Sequence, residues 1–220
     1  MIPLKDNIPS SRFPFVNYML IAANIAVFIY EISLPPDILS GWLIGFYALV
    51  PRELVGNFAE SWHTIFTSMF LHGGWLHIAG NMLFLYIFGD NVEDALGHIR
   101  YFVFYILSGV SAALLQVLFS FYSAVPVIGA SGAVAGVIGA YVRFFPRAAI
   151  LTLVPFGIFT RIVELPAFFF VGVWFFMQLF QGTLSLVGGG HFMGGVAWWA
   201  HIGGFLFGVY FAGNHLKGIF

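Results

Sequence analysis

Apolar residues gather in six blocks, near residues 15–32, 74–88, 99–121, 131–145, 166–184 and 196–212. A helix of about 20 apolar residues crosses the ~30 Å hydrocarbon core of a bilayer. The blocks therefore predict an all-α, polytopic membrane protein: one six-helix bundle over residues 1–220. Between the first two blocks, residues 33–62 break the pattern. Pro35, Pro36, Pro51, Arg52, Glu53 and Glu60 stand among Trp42, Phe46, Tyr47, Phe58 and Trp62. This segment is too polar to span and too aromatic to float free. It predicts an interfacial loop with short helices, anchored by Trp and Tyr. Residues 89–97 and 122–128 are turns, 146–164 is a connection with an interfacial part, and 188–195 is a glycine-rich link.

Composition sharpens this picture. Of the 220 residues 60% are hydrophobic and only 8% charged, whereas a soluble domain carries about 25% charged residues. The lipid bilayer is thus the surrounding phase. A net charge of −1 supplies no basic patch, which disfavours nucleic acid as a partner. There is no cysteine, hence no disulfide, thiol nucleophile or thiolate metal site. Residues 1–14 lack a cleavable signal pattern, so the first block is expected to be kept as a span. Six spans with cytoplasmic N- and C-termini put Lys5, Arg12, Arg100, Arg143, Arg147, Arg161 and Lys217 inside and only Arg52 outside, as the positive-inside rule demands. The absence of a transit segment points to a prokaryotic inner membrane. No tandem repeat of the kind found in many transporters is visible.

Candidate chemistry starts at Ser131, between Gly129 and Gly132 at the mouth of the fourth block. Residues 131–145 make about 22 Å of helix at 1.5 Å per residue. That is short of the ~30 Å core, so Ser131 should lie about 8 Å below the outer edge. Non-helical backbone at that depth requires a cavity or surrounding protein. His201 in the sixth block reaches a similar depth. Ala197, His201, Gly204 and Gly208 share one helical face, and this small-residue face can close on Gly132, Gly136 and Gly139. An ionisable side chain inside a membrane is a functional candidate by default. His77 and Asn81, four apart, can donate to an oxyanion together with the Ser131 N–H. No acid falls near them, which leaves a Ser–His pair without a carboxylate. His72 and His77 are five apart and no His-Glu-x-x-His occurs, so a zinc site is disfavoured and neutral donors are the better reading. The plainer alternatives are a serine cap on a packed helix and polar glue between helices.

Three motifs, taken together, carry a resemblance: Gly129-Ala130-Ser131-Gly132, His201 followed by Gly204 and Gly208, and His72 with His77 and Asn81. With the His72, His77 and Asn81 motif upstream of Ser131 and the His201 motif downstream, the chain resembles the rhomboid intramembrane serine proteases, from about residue 15 to 212. The resemblance implies Ser131 as nucleophile and His201 as base. It implies His77, Asn81 and the Ser131 backbone as oxyanion hole, with His72, Gly129 and Gly132 in support. Single-span membrane proteins would be the substrates, and no cofactor is implied. Two positions depart from the family pattern. Trp62-His63 replaces a Trp-Arg pair, and Ala135 stands where some members carry a tyrosine against the histidine, so another aromatic must hold the His201 ring. Glu93 and Asp94 are expected to pin the cytoplasmic end of the second span. Phenylalanines 168–170, 175 and 176, with Trp174, either face lipid or form a lateral gate, with the glycine link as a lid. A non-catalytic relative that binds membrane helices, or a channel lined by His77, Asn81 and His201, are the competing readings.

Overall fold

A computed structural model describes residues 1–156, 159–187 and 196–219. Its long helices are α1 (Phe15–Ser33), α2 (Trp75–Leu96), α3 (His98–Ser120), α4 (Ser131–Phe144), α5 (Ala167–Val187) and α6 (Trp198–Leu216). Among the described residues three helices, α1, α3 and α5, are long and apolar enough to cross a membrane. The apolar helix α4 is shorter, at 14 residues. Between α1 and α2 the chain makes short helical turns over Pro36–Ile38, Leu39–Ile44, Gly45–Tyr47, Pro51–Gly56, Phe58–Ser61, Thr64–Thr67 and Ser68–Phe70.

The molecule is mostly helical, but the all-α expectation needs a correction. A three-stranded antiparallel sheet forms from β1 (Ile2–Asp6), β2 (Ala149–Phe156) and β3 (Phe159–Pro166), in the order β1-β2-β3. Ile2 faces Leu153, and Leu153 in turn faces Ile162. The stretch read as a connection is thus a hairpin. Its aliphatic residues suit a half-buried strand pair, but two strands alone are marginal. The third strand comes from the other end of the chain, which a local reading does not bring into view. Tyr141 at the end of α4 donates its hydroxyl to Asp6 (2.6 Å), and Ala149 N–H donates to Asn7 (2.8 Å). These bonds fasten the sheet beneath the helices.

Helix α2 runs two turns beyond residue 88. It continues because its polar residues find partners. Glu93, almost fully buried, accepts the backbone N–H groups of Val16 (2.9 Å) and Asn17 (2.7 Å). Those are first-turn donors of α1 with no helical acceptor, at the positive end of its dipole. His98 closes on the same carboxylate. Asp94 accepts from Ser11 and Asp90 from Ser10. These acids therefore pin α1 and its leader to α2, a wider tie than the end of one helix. Gly97, with φ of 78°, ends α2 and opens α3 at once, a backbone setting that favours glycine.

Helix α4 is the axis of the bundle: every residue from Gly132 to Tyr141 is buried. Its partners α3 and α6 come close because the facing residues are small, whereas α2 packs the Phe88 ring on Tyr141. A Cβ placed on Gly204 would land on the Gly132 carbonyl oxygen, and one on Gly208 would land on that of Gly136. A Cβ on Gly139 would strike the Phe205 carbonyl. Where lipid surrounds helices, such close packing is what drives association. It also sets the distance between any side chains that α4 and α6 hold in common.

Candidate active site

The chain enters α4 through a strained corner. Gly129 has a φ of 123°, and its N–H donates to the Ser68 carbonyl (2.9 Å). A Cβ there would sit 2.6 Å from His77 Nε2. Glycine is therefore required twice, for the backbone angle and for the ring lying over it. Two residues on, Ser131 is the first residue of α4, where backbone N–H groups lack helical acceptors.

The Ser131 hydroxyl lies 2.8 Å from His201 Nε2. Helices α4 and α6 deliver these two side chains to one point through the glycine contacts above. His201 Nδ1 lies 2.7 Å from Oε1 of Gln178 on α5. Gln178 Nε2 donates to the Trp174 carbonyl (3.1 Å), which turns the amide oxygen toward the imidazole. The Trp174 ring stacks on His201 at 6.2 Å and 29°, and Trp198 meets it edge-on at 6.1 Å and 85°. The aromatic support missing at Ala135 thus comes from α5 and α6. Gln116 of α3 accepts the Ala200 N–H (3.1 Å), tying down the start of α6.

His77 and Asn81 face the same space. Gly73 N–H donates to His77 Nδ1 (3.3 Å), leaving Nε2 as the nitrogen that carries hydrogen. Asn81 Nδ2 is buried without a hydrogen-bond partner. A buried amide donor without an acceptor costs about 1–3 kcal/mol, so its position calls for a function. Together with Ser131, His201, Trp174, Val134, Ile138 and Phe84 these residues line a cavity of about 690 Å³. Gly132 lies behind it, against Ala112 and Ala200.

His72 stands one step back. Its N–H donates to both carboxylate oxygens of Glu31 (3.2 and 3.1 Å), and its Nδ1 lies 3.2 Å from the Phe70 carbonyl. Its ring meets His77 at 5.2 Å and 66°. Burial, with His77 as the second cause, pushes the His72 imidazole down to about 4. It is thus neutral over the ordinary pH range. Among the described residues no group of three or more His, Cys, Asp or Glu is arranged to hold a metal ion.

The structure therefore brings Ser131, His201, His77 and Asn81 to one cavity, with His72, Gly129 and Gly132 around it. Four residues enter that the sequence reading did not assign: Gln178, Trp174 and Trp198 at the imidazole, and Glu31 behind His72. The available signal was a glutamine within a phenylalanine-rich run, four residues after a tryptophan, and a carboxylate inside an apolar block. The glycine link proposed as a lid lies outside the described residues. Of the α5 aromatics, Phe168, Phe169 and Phe176 are exposed and Phe170 is buried, so the run is divided between two faces.

The chain is similar to several known proteins. Rhomboid protease AarA of Providencia stuartii is 33% identical over 147 residues, 60% of this chain and 51% of AarA. Rhomboid protease GluP of Bacillus subtilis is 34% identical over 104 residues, 46% of this chain and 20% of GluP. The chloroplastic Rhomboid-like protein 11 of Arabidopsis thaliana is 42% identical over 83 residues, 38% of this chain and 29% of that protein. The chain thus spans about half the length of these relatives, or less. A model of the Rhomboid domain matches residues 59–217, a range that takes in Ser131, His201 and the whole cavity, and the chain belongs to the rhomboid family.

Proposed function

We propose that this chain is an intramembrane serine endopeptidase that cleaves the transmembrane segments of membrane proteins. The observation that carries the reading is the Ser131 hydroxyl at 2.8 Å from His201 Nε2, on the wall of a cavity that also holds an unpartnered amide donor. Ser131 Oγ attacks the scissile carbonyl carbon while His201 Nε2 takes its proton. The carbonyl oxygen, now negative, is met by Asn81 Nδ2, His77 Nε2–H and the Ser131 N–H. The imidazolium passes its proton to the leaving amine and the peptide bond breaks. Water, deprotonated by the same imidazole, then hydrolyses the Ser131 ester and regenerates the hydroxyl.

The membrane setting completes the proposal. The six long helices form six spans, with both termini on the cytoplasmic side of a prokaryotic inner membrane and the turns over 36–70 in the outer interface. Substrates are single-span membrane proteins that enter from the side and partly unwind to present a carbonyl. The same cavity brings in the water that lipid excludes.

Labelling of the detergent-solubilised protein with a fluorophosphonate probe tests the reading. Wild type takes the label, whereas Ser131→Ala and His201→Ala do not. A folded wild type that takes no label and leaves a membrane-helix substrate uncut overturns it.

A further inference from the structure

We propose that Gln178 is a positioning residue that locks His201 in the tautomer with hydrogen on Nδ1. The imidazole has two nitrogens, and the partner of one decides the state of the other. For the Ser131 hydroxyl to donate to Nε2, that nitrogen must carry a lone pair, so Nδ1 must carry the hydrogen. Only an acceptor opposite Nδ1 enforces this. Gln178 Oε1 lies 2.7 Å away.

A glutamine can present either end of its amide, and here the helix itself chooses. The Trp174 carbonyl accepts from Gln178 Nε2 at 3.1 Å. Reversing the amide would set its oxygen against that carbonyl and its NH₂ against the Nδ1 hydrogen, losing both bonds. A backbone carbonyl has no alternative protonation state, so the orientation holds wherever the helix holds. Burial adds to the argument. Gln178 is only 6% exposed, a setting in which an unpaired carboxylate is costly but a satisfied amide is not. A neutral acceptor can thus do the orienting work of the acid in a Ser-His-Asp triad, and it still receives the Nδ1–H bond when the imidazole becomes positive. Trp174 serves both ends of the arrangement, since its carbonyl sets the amide and its ring packs on the imidazole.

The location has a consequence. Ser131 is on α4, His201 on α6 and Gln178 on α5. The glycine contacts between α4 and α6 set the Ser–His distance, but the tautomer depends on a third helix being seated.

The catalytic part of this inference rests on the proposed peptidase reading, while the tautomer itself does not. The test uses the full chain in detergent, with Gln178→Leu to remove the acceptor at similar volume and Gln178→Glu to restore one. For Gln178→Leu, kcat on a membrane-helix substrate falls about 10²-fold or more, as expected for a misdirected general base. KM changes less than twofold, and Gln178→Glu recovers most of the rate where burial keeps the new side chain a neutral acid, which donates to the Trp174 carbonyl and accepts from Nδ1–H. Imidazole ¹⁵N shifts, with His201 assigned against His201→Ala, show hydrogen on Nδ1 in wild type and a mixture in Gln178→Leu. Unchanged kcat and unchanged shifts in Gln178→Leu overturn the proposal. If that variant does not fold, a wild-type His201 carrying its hydrogen on Nε2 overturns it just as well. A wild type that neither labels nor cleaves removes the peptidase reading, and the ¹⁵N result alone then decides the lock.

Discussion

Ser131 and His201 are ordinary side chains, and small neighbours give them their setting. Gly129 lets the His77 ring lie over the backbone, and Gly73 fixes which nitrogen of that ring bears hydrogen. Asn81 Nδ2 is then a buried donor on the cavity wall left without a partner. Such a donor is worth most when charge develops on the substrate oxygen. Asn81→Ala should therefore lower kcat by about 10²–10³-fold. KM should change little and thermal stability should hold or rise, because the resting protein loses no bond and sheds an unpaired buried donor. A proportional rise in KM with kcat intact would instead mark Asn81 as a ground-state contact.

At the scale of elements, the Ser131–His201 geometry is a by-product of how α4 meets α6. The facing glycines bring backbone against backbone, and the Ser–His distance follows from that separation. Gly204→Ala places a methyl group on the Gly132 carbonyl oxygen, so one of the helices must shift. The expected cost is about 1–3 kcal/mol of stability, the usual range for overpacking. Fluorophosphonate labelling of Ser131 should drop with it. Gly172→Ala on α5, where a Cβ meets nothing within 4 Å, is the control and should be neutral or slightly stabilising by helix propensity. Equal effects of the two substitutions on thermal unfolding in detergent would show that the close approach does not set the geometry.

Over the whole molecule, the N-terminal segment and the sheet bind the lower ends of the helices together. Burial raises the Asp6 carboxyl above its ordinary range; the Tyr141 hydroxyl bond opposes this, and the nearby Asp90 adds to it. An acid whose folded value is raised holds its proton more tightly in the folded chain. Its contribution to stability is thus present at low pH and lost as pH rises through the folded value. Asp6→Asn keeps an oxygen for the Tyr141 hydroxyl and removes the titration. The melting temperature of Asp6→Asn relative to wild type should rise between pH 4 and pH 7. A difference that stays constant across that interval would show that Asp6 does not titrate with folding.

The sequence by itself determined what depends on local pattern. Apolar blocks mark the long helices, because lipid and core demand apolar surface over a whole helix length. The three-residue and four-residue steps of glycine mark the α4–α6 contact, because residues so spaced share one face. Ser131, His201, His77 and Asn81 stood out because polar groups in apolar runs are costly. Tertiary structure decided everything that joins distant segments. The sheet needs β1 from one end of the chain and a hairpin 140 residues later, so no local window contains it. Glu93 reaches back to cap α1, which makes a polar stretch a helical continuation rather than a turn. Gln178 looks like one polar residue in a phenylalanine run until α5 is seated against α6. Only then does its amide meet Nδ1 of His201, because hydrogen-bond partners are chosen by distance in space and not along the chain.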